Sequence, residues 1–576
     1  MVAAQASFEK VFKKRIVFLA VFFIFCLLMI IARLAYMQLF RQSYYKAMAN
    51  NQHLGEQTIL PTRGEILIQD SFTGQPYTVA TSDEKILVYG NPSEITDMGA
   101  VLDKLSQILK IDRAVLEEKL KDSEKHYIVL KKDLSEEEEQ QIKDAKLAGV
   151  NFDKETSRLY PESTMLAQLL GFVGYKGDQK QGVYGLESTY DKELAGSSGT
   201  LLQEKDNSGS WIFGGKRDRI PAKDGDSLLL TIDKTIQLKV EAVLKDTVEK
   251  HGADSGSVVV MDPKTGAILG MATYPTFDLN TFSKVTDPEI YNNQVALGAY
   301  EPGSIFKPLT MAAGVNEGLV SASTTFVDTG EVKVDGYTIK NSDLKAHGTQ
   351  TMSQVLEESL NTGMVFVQDK VGNKKFSEYI NNFGFGKKTG FETPESAGDL
   401  GNLKGNIQVN YDTASFGQGI SVTPLQLVQA FSSIANGGVM AKPYVVKQII
   451  RENGKVEDVA KTEKKQVISA KAASEVAAMM VNVVEKGHGT KAAVSGYYVA
   501  GKTGTAQVPL KNGKGYDPNN NIGSFIGFAP VEDPKFVMLV RVNHPRSVKF
   551  AESTAAPAWG SIGAFLLQHF KVPPTR

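Results

Sequence analysis

The chain has 576 residues, of which 42% are hydrophobic and 22% charged, and its formal net charge is −1. This length exceeds what one hydrophobic core supports, so we expect two or three domains. The composition is that of an ordinary globular protein, and the near-neutral charge gives no general attraction to nucleic acid, so no nucleic-acid partner is expected. The seven histidines are scattered, and neither C-x-x-C nor H-E-x-x-H occurs, so the sequence gives no support for a metal site.

An apolar run near the N-terminus predicts a membrane span. Ile16 to Ala32 holds no charged residue, and beyond Arg33 the apolar character resumes as far as Phe40. About 20 apolar residues cross a bilayer, and an arginine near the end can reach the interface. A basic cluster precedes the run: Lys10, Lys13, Lys14 and Arg15. Since positive charge is retained on the cytoplasmic side, we expect a cytoplasmic tail (1–15), an anchor (16–40) and an extracytoplasmic remainder.

Two other interpretations of this run are open. A cleaved signal peptide would find small residues at a suitable spacing in Ala47-Met48-Ala49, although basic residues separate them from the run. A buried core helix of this length and hydrophobicity would be unusual. The only cysteine, Cys26, lies inside the run, so the rest of the chain forms no internal disulfide.

Residues 41–225 are polar and mixed, and we expect them to form an α+β module without chemistry of its own. Between Thr96 and Lys121 apolar residues recur at helical spacing, which predicts two short helices broken near Ile111-Asp112. Ser135 precedes four glutamates, a pattern typical of a helix start.

The hydrophobic pattern of the sequence changes in residues 226–576, where strand patterns lie at both ends and helical patterns lie between them. SLLLTI and SVVVMD predict strands, and TGAILGMATYP predicts a hairpin return after a turn from Asp262 to Gly266. Helical patterns dominate from Ser304 to Asn436, and strand patterns return in GYYVAG, GTAQV, SFIGFAP and KFVMLVRV. This order predicts an α+β domain with one antiparallel sheet whose edges come from distant parts of the sequence, covered by helices.

The first candidate catalytic pair is Ser304 and Lys307, an S-x-x-K directly after Pro302-Gly303. Residues three apart on a helix share a face, so the lysine amine can reach the serine hydroxyl. A serine needs an adjacent base to act as nucleophile, and a lysine serves only when its amine is neutral. Neutrality at pH 7 requires lowering the amine pKa from ~10.4 by about three units, which burial and a nearby second cation would both promote.

Two further elements carry chemistry that complements this pair. Ser359-Leu360-Asn361 follows an amphipathic helix; Ser359 is a candidate proton relay, and Asn361 is a candidate to orient Lys307 and to bond a substrate amide. Lys502-Thr503-Gly504-Thr505 lies in a strand pattern, where a glycine on an edge strand lets a substrate backbone approach. The Lys502 charge and both threonine hydroxyls would bind a substrate carboxylate. Lys502 would also be the second cation.

Each element alone is weak. S-x-x-K recurs at Ser82 and at Ser342, and a second K-T-G lies at Lys388-Thr389-Gly390 in what we expect to be a loop. That second K-T-G follows Asn361 too closely for the intervening helices, so we reject it. S-x-x-K, a serine motif of the S-D-N type and K-T-G in this order together form the signature of penicillin-binding proteins and class A β-lactamases.

The chain resembles the class B penicillin-binding proteins, which are peptidoglycan D,D-transpeptidases, and within them the division or septal type. Four further stretches carry the likeness: Arg63-Gly64-Glu65-Ile66, Gly185-Leu186-Glu187, Asp262 to Gly266, and Phe416-Gly417-Gln418-Gly419. It departs from the family pattern at Gln69 to Gly74, where the turn is longer. The resemblance implies a β-lactamase-like transpeptidase domain at 226–576, preceded by an elongated pedestal at 41–225.

The resemblance also implies a mechanism in which Ser304 attacks the carbonyl between the D-alanines of a peptidoglycan stem peptide. The N–H groups of Ser304 and Thr505 would form the oxyanion hole, Lys307 would take the serine proton, and Ser359 would pass it to the leaving D-alanine. A neighbouring stem-peptide amine would resolve the acyl-enzyme, and β-lactams would acylate Ser304. No cofactor is implied. Expected partners are stem peptides ending in D-Ala-D-Ala, β-lactams, the membrane, a SEDS-family glycosyltransferase and divisome proteins.

Other functions remain open. A D,D-carboxypeptidase or β-lactamase would hydrolyse the acyl-enzyme; Glu392 and Glu395 lie in the window of the lactamase glutamate, but neither fits its E-x-x-L-N pattern. A β-lactam sensor would keep the same pocket as a receptor, and a wall-synthesis scaffold would keep it with slow turnover.

Overall fold

The computed structural model describes residues 2–45, 54–177, 179–204, 217–459, 463–510, 515–548 and 550–576. These form two compact units, one comprising 1–61 and 197–223 and the other comprising 62–196 and 224–576. Ala47-Met48-Ala49, the small residues considered above as a cleavage site, lie outside the described residues.

The described strands are, in chain order, β1 (Leu54–Ile59), β2 (Ile66–Gln69), β3 (Tyr77–Gly90), β4 (Ile128–Lys131), β5 (Val150–Leu159), β6 (Val173–Lys176), β7 (Gln179–Gly182), β8 (Gly199–Glu204), β9 (Arg217–Ile220), β10 (Ser227–Asp233), β11 (Ser255–Met261), β12 (Ile268–Tyr274), β13 (Thr325–Asp328), β14 (Glu331–Val334), β15 (Tyr337–Lys340), β16 (Gly348–Thr351), β17 (Val439–Ala441), β18 (Val446–Ile450), β19 (Val456–Asp458), β20 (Lys464–Gln466), β21 (Ala500–Pro509), β22 (Tyr516–Ala529) and β23 (Phe536–Asn543). The described α-helices are Val2–Leu39, Met98–Leu109, Arg113–Leu120, Glu136–Ala145, Ala167–Leu170, Gly185–Thr189, Asp191–Ala195, Lys234–Lys250, Lys307–Asn316, Met352–Glu357, Asn361–Val371, Asn373–Asn382, Gln408–Ser415, Pro424–Ala435, Ala470–Glu485 and Ala555–His569.

The first unit contains the N-terminal helix Val2–Leu39 and a three-stranded antiparallel sheet of order β1-β8-β9. Within the helix, Phe12–Leu39 is long and apolar enough to cross a bilayer, and none of its apolar window is buried against protein. Because side chains of a core helix would be covered, the core-helix interpretation is wrong for this segment. The helix has the length, composition and exposure of a membrane anchor.

The expected elements of residues 62–196 are present in the second unit. The two amphipathic helices Met98–Leu109 and Arg113–Leu120 are separated where Asp112 accepts a hydrogen bond from the N–H of Ala114. Ser135 caps helix Glu136–Ala145 through a reciprocal capping box with Glu138. Both predictions are confirmed, because each depended on side chains that act on their own local backbone.

A buried ion-pair network joins the two N-terminal stretches that resemble the family. The Arg63 guanidinium bonds Glu187 at 2.7 Å and Asp191 at 2.7 Å, and Arg158 bonds the other Glu187 oxygen at 2.6 Å. Glu187 is fully buried between the two arginines. The N–H of Gly64 donates to the carbonyl of Leu194, which lies a few residues after Glu187. The likeness noted at Arg63 and at Glu187 therefore marks one structural junction.

The antiparallel sheet predicted for the C-terminal domain is confirmed. Five strands lie in the order β12-β11-β23-β22-β21, so the edge strands β12 and β21 are more than 200 residues apart in sequence. Helices Lys234–Lys250 and Ala555–His569 cover one face around Trp559, and helices Pro424–Ala435 and Ala470–Glu485 cover the opposite face, which carries the Ser304 segment.

Three features differ from the sequence-based expectation. SLLLTI forms β10 of a separate mixed sheet, in which its two edges pair with β2 and β18 and both of its faces are buried. In GYYVAG the strand begins only at Ala500, after a turn. Within the region read as helical, residues 325–351 form two short strand pairs, β13 with β16 and β14 with β15. The second pair carries a hairpin signal that the helical prediction missed, an Asp335-Gly336 turn between the alternating segments EVKV and YTIK.

Candidate active site

Ser304 lies in a single 3₁₀ turn, Gly303–Phe306, which continues directly into helix Lys307–Asn316. Gly303 has φ +58, so a left-handed residue reverses the chain just before the serine. Residues three apart eclipse one another in a 3₁₀ turn, which puts Ser304 and Lys307 on the same side. Ser304 is partly exposed, whereas Lys307 is fully buried.

The Lys307 amine is held by the second motif. Its Nζ donates to the carbonyl of Ser359 at 2.5 Å and lies 3.2 Å from the Ser359 hydroxyl. Burial lowers the pKa of Lys307 well below its ordinary value, and the positive charge of Lys502 lowers it further. Both causes named from the sequence therefore act on this amine, and the third motif supplies the second cation.

Ser359 has a backbone conformation rare for a side-chain-bearing residue, with φ +56. It lies in the tight connection between helices Met352–Glu357 and Asn361–Val371, and the buried Leu360 anchors that connection. Such strain persists only where surrounding contacts impose it, and it is concentrated at functional sites. The Asn361 side chain donates to the carbonyl of Lys340 at 2.8 Å, whereas the Lys307 amine bonds Ser359. A direct bond from Asn361 to Lys307 stays a prediction.

Lys502 lies on β21, the edge strand predicted from its glycine, and is fully buried. Burial lowers the pKa of its amine to about 7, although the Glu552 carboxylate acts in the opposite direction. Its Nζ donates to the carbonyl of Thr503 at 3.1 Å. Thr503 is buried, whereas Thr505 is exposed and its hydroxyl accepts from the N–H of Ala551 at 3.2 Å. Of the two threonines, Thr505 is thus the one open to a ligand.

The glycine of the third motif has a packing role that the sequence did not indicate. A Cβ added to Gly504 would meet the Ile305 side chain at 2.8 Å, the Ile305 nitrogen at 3.1 Å and the Pro302 carbonyl oxygen at 3.1 Å. The serine turn therefore lies directly against β21. Glycine at 504 permits this approach, and with it the proximity of the two lysines.

Sequence reasoning missed a buried polar group beneath the serine segment. Arg541 stacks on the Tyr300 ring, 4.2 Å from guanidinium carbon to ring centroid, and donates to the carbonyl of Gly298 at 2.7 Å. The Tyr300 hydroxyl lies 3.1 Å from that of Ser524 on β22. These residues tie the chain before Ser304 to the sheet. They come from three strands or loops far apart in sequence, so no local signal marked them.

The family stretch at Phe416 to Gly419 also packs on the serine turn. The carbonyl of Gly417 accepts from the N–H of Gly303 at 3.0 Å, and a Cβ on Gly417 would lie 2.3 Å from the Gly303 oxygen. Gly417 has φ +81. A glycine is thus required on both sides of this contact, which explains part of the pattern that carries the resemblance.

The rejected second K-T-G has a structural role. Lys388-Thr389-Gly390 forms a loop, as expected, and the N–H groups of Thr389, Gly390 and Phe391 donate to the Glu395 carboxylate. Glu392 in turn accepts from the N–H groups of Val445 and Val446. Both glutamates considered for a hydrolytic water are therefore occupied by backbone donors. Among the described residues, no group of three or more His, Cys, Asp or Glu side chains is arranged to hold a metal ion.

Comparison with known proteins agrees with this architecture. Residues 256–562 match the model of the penicillin-binding protein transpeptidase domain, and residues 58–230 match that of the penicillin-binding protein dimerisation domain. The chain is 35% identical to stage V sporulation protein D of Bacillus subtilis, over 98% of this chain and 87% of that protein. It is 30% identical to the probable peptidoglycan D,D-transpeptidase PbpC of Pseudomonas aeruginosa, over 97% and 96%.

Solved structures show the same fold. The crystal structure of penicillin-binding protein 2X from Streptococcus thermophilus superimposes with a TM-score of 0.75 at 26% identity, covering 90% of this chain and 80% of that chain. A peptidoglycan synthetase from Bifidobacterium adolescentis gives 0.71 at 30% identity, covering 91% and 98%. The fold and the pair of domains define a penicillin-binding transpeptidase. The chain belongs to the class B penicillin-binding proteins and is a peptidoglycan D,D-transpeptidase.

Proposed function

We propose that Ser304 is the nucleophile that cross-links peptidoglycan stem peptides, with Lys307 as its base. The observation that carries this assignment is the buried Lys307 amine, which shares a helical turn with Ser304, bonds Ser359 and, within the described part of the chain, makes no ion pair with a carboxylate. An unpaired buried amine favours its neutral form, which is the form that can accept a proton. The positive charge of Lys502 further disfavours the protonated form of Lys307.

The proposed reaction has two acyl transfers. The Ser304 oxygen bonds the carbonyl carbon of the penultimate D-alanine, its proton passes to Lys307, and the C–N bond to the terminal D-alanine breaks as Ser359 delivers a proton to the leaving amine. The N–H groups of Ser304 and Thr505 stabilise the oxyanion. A second stem-peptide amine then displaces Ser304 and returns its proton. Asn361 bonds the substrate amide, and Lys502, Thr503, Gly504 and Thr505 form the wall that binds the substrate carboxylate.

Labelling with a fluorescent penicillin tests the nucleophile. The wild type should form a covalent adduct that is absent in Ser304→Ala. Ser342→Ala is the matched control, because Ser342 begins the other S-x-x-K of this domain but is exposed in a loop. An adduct of normal yield in Ser304→Ala would refute the assignment.

Transfer is favoured over hydrolysis by the occupied glutamates. Glu392 and Glu395 each accept backbone N–H groups, so neither is free to activate water in the way a lactamase glutamate does. Release of D-alanine from a donor peptide should therefore rise when an acceptor amine is added. A release rate independent of acceptor, with free tetrapeptide as the sole product, would instead support a D,D-carboxypeptidase.

We further propose that 1–15 is cytoplasmic, that 16–40 spans the cytoplasmic membrane, and that both the 41–225 pedestal and the 226–576 catalytic domain lie outside. The basic residues before the apolar helix support this orientation. Exclusive labelling of intact cells by a membrane-impermeant penicillin would agree with it; labelling only after permeabilisation would contradict it.

Two cellular roles are consistent with the sequence and its relatives, namely cell division and sporulation. Compact layout and the likeness to septal enzymes favour division, together with a SEDS-family glycosyltransferase and divisome proteins bound through residues 1–225. A relative named for sporulation stage V favours wall synthesis during sporulation as the second candidate. A fluorescent fusion followed in growing and in sporulating cells distinguishes them. Replacing residues 1–225 with an unrelated anchor should abolish septal recruitment and partner co-purification; retention of both would contradict the partner assignment.

A further inference from the structure

The two strand pairs of residues 325–351, which we call the 325–351 arm, end beside the second motif. Strand β13 ends at Asp328, and Asn341 follows β15 directly. Both side chains are almost completely buried, with 2% and 1% of their surfaces exposed. Burial of a carboxylate and an amide is costly unless their hydrogen bonds are satisfied, so their partners indicate what they do.

Helix Asn361–Val371, which starts within the motif, has no cap of its own. Its N-cap position is Leu360, an apolar residue that makes no side-chain hydrogen bond. The first N–H groups of a helix need acceptors, usually from a serine, threonine, aspartate or asparagine at that position. Here the Asn341 side-chain oxygen accepts from the N–H of Asn361 at 3.0 Å and from that of Thr362 at 3.3 Å. The cap is thus provided by a side chain that lies outside the helix, 20 residues upstream in the same chain.

Asp328 holds this cap in place. Its carboxylate accepts from the Asn341 amide at 2.9 Å, the Thr362 hydroxyl at 2.7 Å, and the N–H groups of His347 and Gly330 at 2.8 and 3.0 Å. Burial alone would raise the pKa of Asp328, but these four hydrogen bonds lower it. The ionised form that these bonds favour can only accept, so it fixes which way the Asn341 amide points, with its oxygen toward the helix.

The same strand end also fixes the motif's side chains. The Asn361 amide donates to the carbonyl of Lys340, next to Asn341. Two residues before Asn361 lies Ser359, in its left-handed conformation, with its carbonyl on the Lys307 amine. Any shift of the helix start would therefore move Ser359 relative to Lys307.

We propose that Asp328 and Asn341 are positioning residues. They hold Ser359 and Asn361 in place for acyl transfer, because they cap the helix that starts at Asn361 from a distant part of the same chain. This inference rests on the roles proposed above for Ser359 and Asn361. A displacement of the order of 1 Å in a catalytic group costs up to about 100-fold in rate. Neither positioning residue needs to touch the substrate.

The test measures benzylpenicillin acylation of the detergent-solubilised full chain, with the first-order rate separated from the dissociation constant of the non-covalent complex. Asn341→Ala removes the cap, and Asp328→Asn replaces an acceptor with an amide that cannot serve all four donors. We expect the first-order rate to fall by about 10- to 100-fold in each, with little change in the dissociation constant. Asp343→Asn is the control, because Asp343 is an exposed carboxylate of the same arm that bonds Lys345 and His347; it should react like the wild type.

The pH profile adds a readout that loss of stability alone would not move. Protonated Lys307 donates to the Ser359 carbonyl, and Lys502 is the charged group that faces it. Displacing that carbonyl disfavours the protonated amine, so the acid limb of the acylation profile should move to lower pH. Wild-type rates and an unmoved acid limb in Asn341→Ala and Asp328→Asn would overturn the inference, as would an equal loss in Asp343→Asn.

A milder variant keeps the inference testable if those two do not fold. Thr362→Val removes only the hydroxyl that bridges Asp328 and Asn341, and it should slow acylation in the same direction by a smaller factor. A wild-type rate in that case would count against the cap. Ser304→Ala separates the two proposals: if it is still labelled, the proposed nucleophile fails, whereas slowed labelling of Ser304 in the cap variants concerns the cap alone.

Discussion

Replacing Lys502 with methionine should make the protein more stable at low pH, because burial of the charged amine in the sheet destabilises the folded state. Burial lowers the pKa of Lys502 from 10.5 to about 7. Each pKa unit corresponds to 1.36 kcal/mol, so the charged form is disfavoured in the folded state by about 5 kcal/mol. Methionine has a similar length and no charge, so it fills the space without that penalty.

The sign of the pH dependence follows from the lowered pKa. Below about pH 7 the lysine is protonated in both the folded and the unfolded state, and the full penalty applies. Between about pH 7 and 10.5 the unfolded chain binds more protons than the folded one, so the wild type gains stability as pH rises. The advantage of Lys502→Met should therefore be largest at pH 6 and should shrink steadily toward pH 9.

The assay is a thermal unfolding series of the solubilised chain at pH 6, 7, 8 and 9. Lys388→Met is the matched control, since Lys388 is the exposed lysine of the other K-T-G and should leave the midpoint unchanged at every pH. A midpoint difference between Lys502→Met and the wild type that is the same at pH 6 and at pH 9 would refute the reasoning. Such a result would mean that the folded protein does not lower the pKa of Lys502.

Three further outcomes are expected. In Lys502→Met the pKa of Lys307 should rise, because the neighbouring cation is gone, so the acid limb of penicillin acylation should move to higher pH; an unmoved limb would contradict the coupling. Gly504→Ala should slow acylation at least about tenfold, because the new Cβ meets the backbone of Ile305 and displaces the serine turn; an unchanged rate would show that the turn yields freely. Glu187→Gln leaves the buried Arg158 without a carboxylate and leaves Arg63 with Asp191 alone, and it should cost about 3–5 kcal/mol in thermal unfolding, with labelling preserved below the midpoint; an unchanged midpoint would contradict the role of that network.

Local signals in the sequence predicted several elements correctly, and their physical basis is local as well. The break at Asp112 and the capping box at Ser135 involve side chains that bond backbone groups two or three residues away. The loop at Lys388 to Gly390 was predicted from its glycines. An antiparallel sheet with edges from distant parts of the sequence was predicted from the positions of the strand patterns, since buried strands with helices between them must pair across the domain.

The predictions that failed depended on partners far away in the chain. Whether SLLLTI joined the five-stranded sheet or another one was decided by β2 and β18, which pair with its two edges. The exception is the hairpin of β14 and β15, whose local signal, Asp335-Gly336 between alternating residues, the helical prediction missed; β13 and β16 pair only across that hairpin. Arg541 and Tyr300 meet only once the sheet has formed.

The sequence by itself determined the chemistry of this protein: an apolar helix to hold it at a membrane, a serine three residues before a lysine, and two further motifs in a fixed order. Those properties reside in residue types and short spacings, and they are independent of the fold. Only the tertiary structure decided that the two lysines are buried beside one another and that Asn341 caps a helix 20 residues downstream. The lowering of an amine pKa and the cost of an uncapped helix depend on which distant groups exclude or replace water, and that is a property of packing.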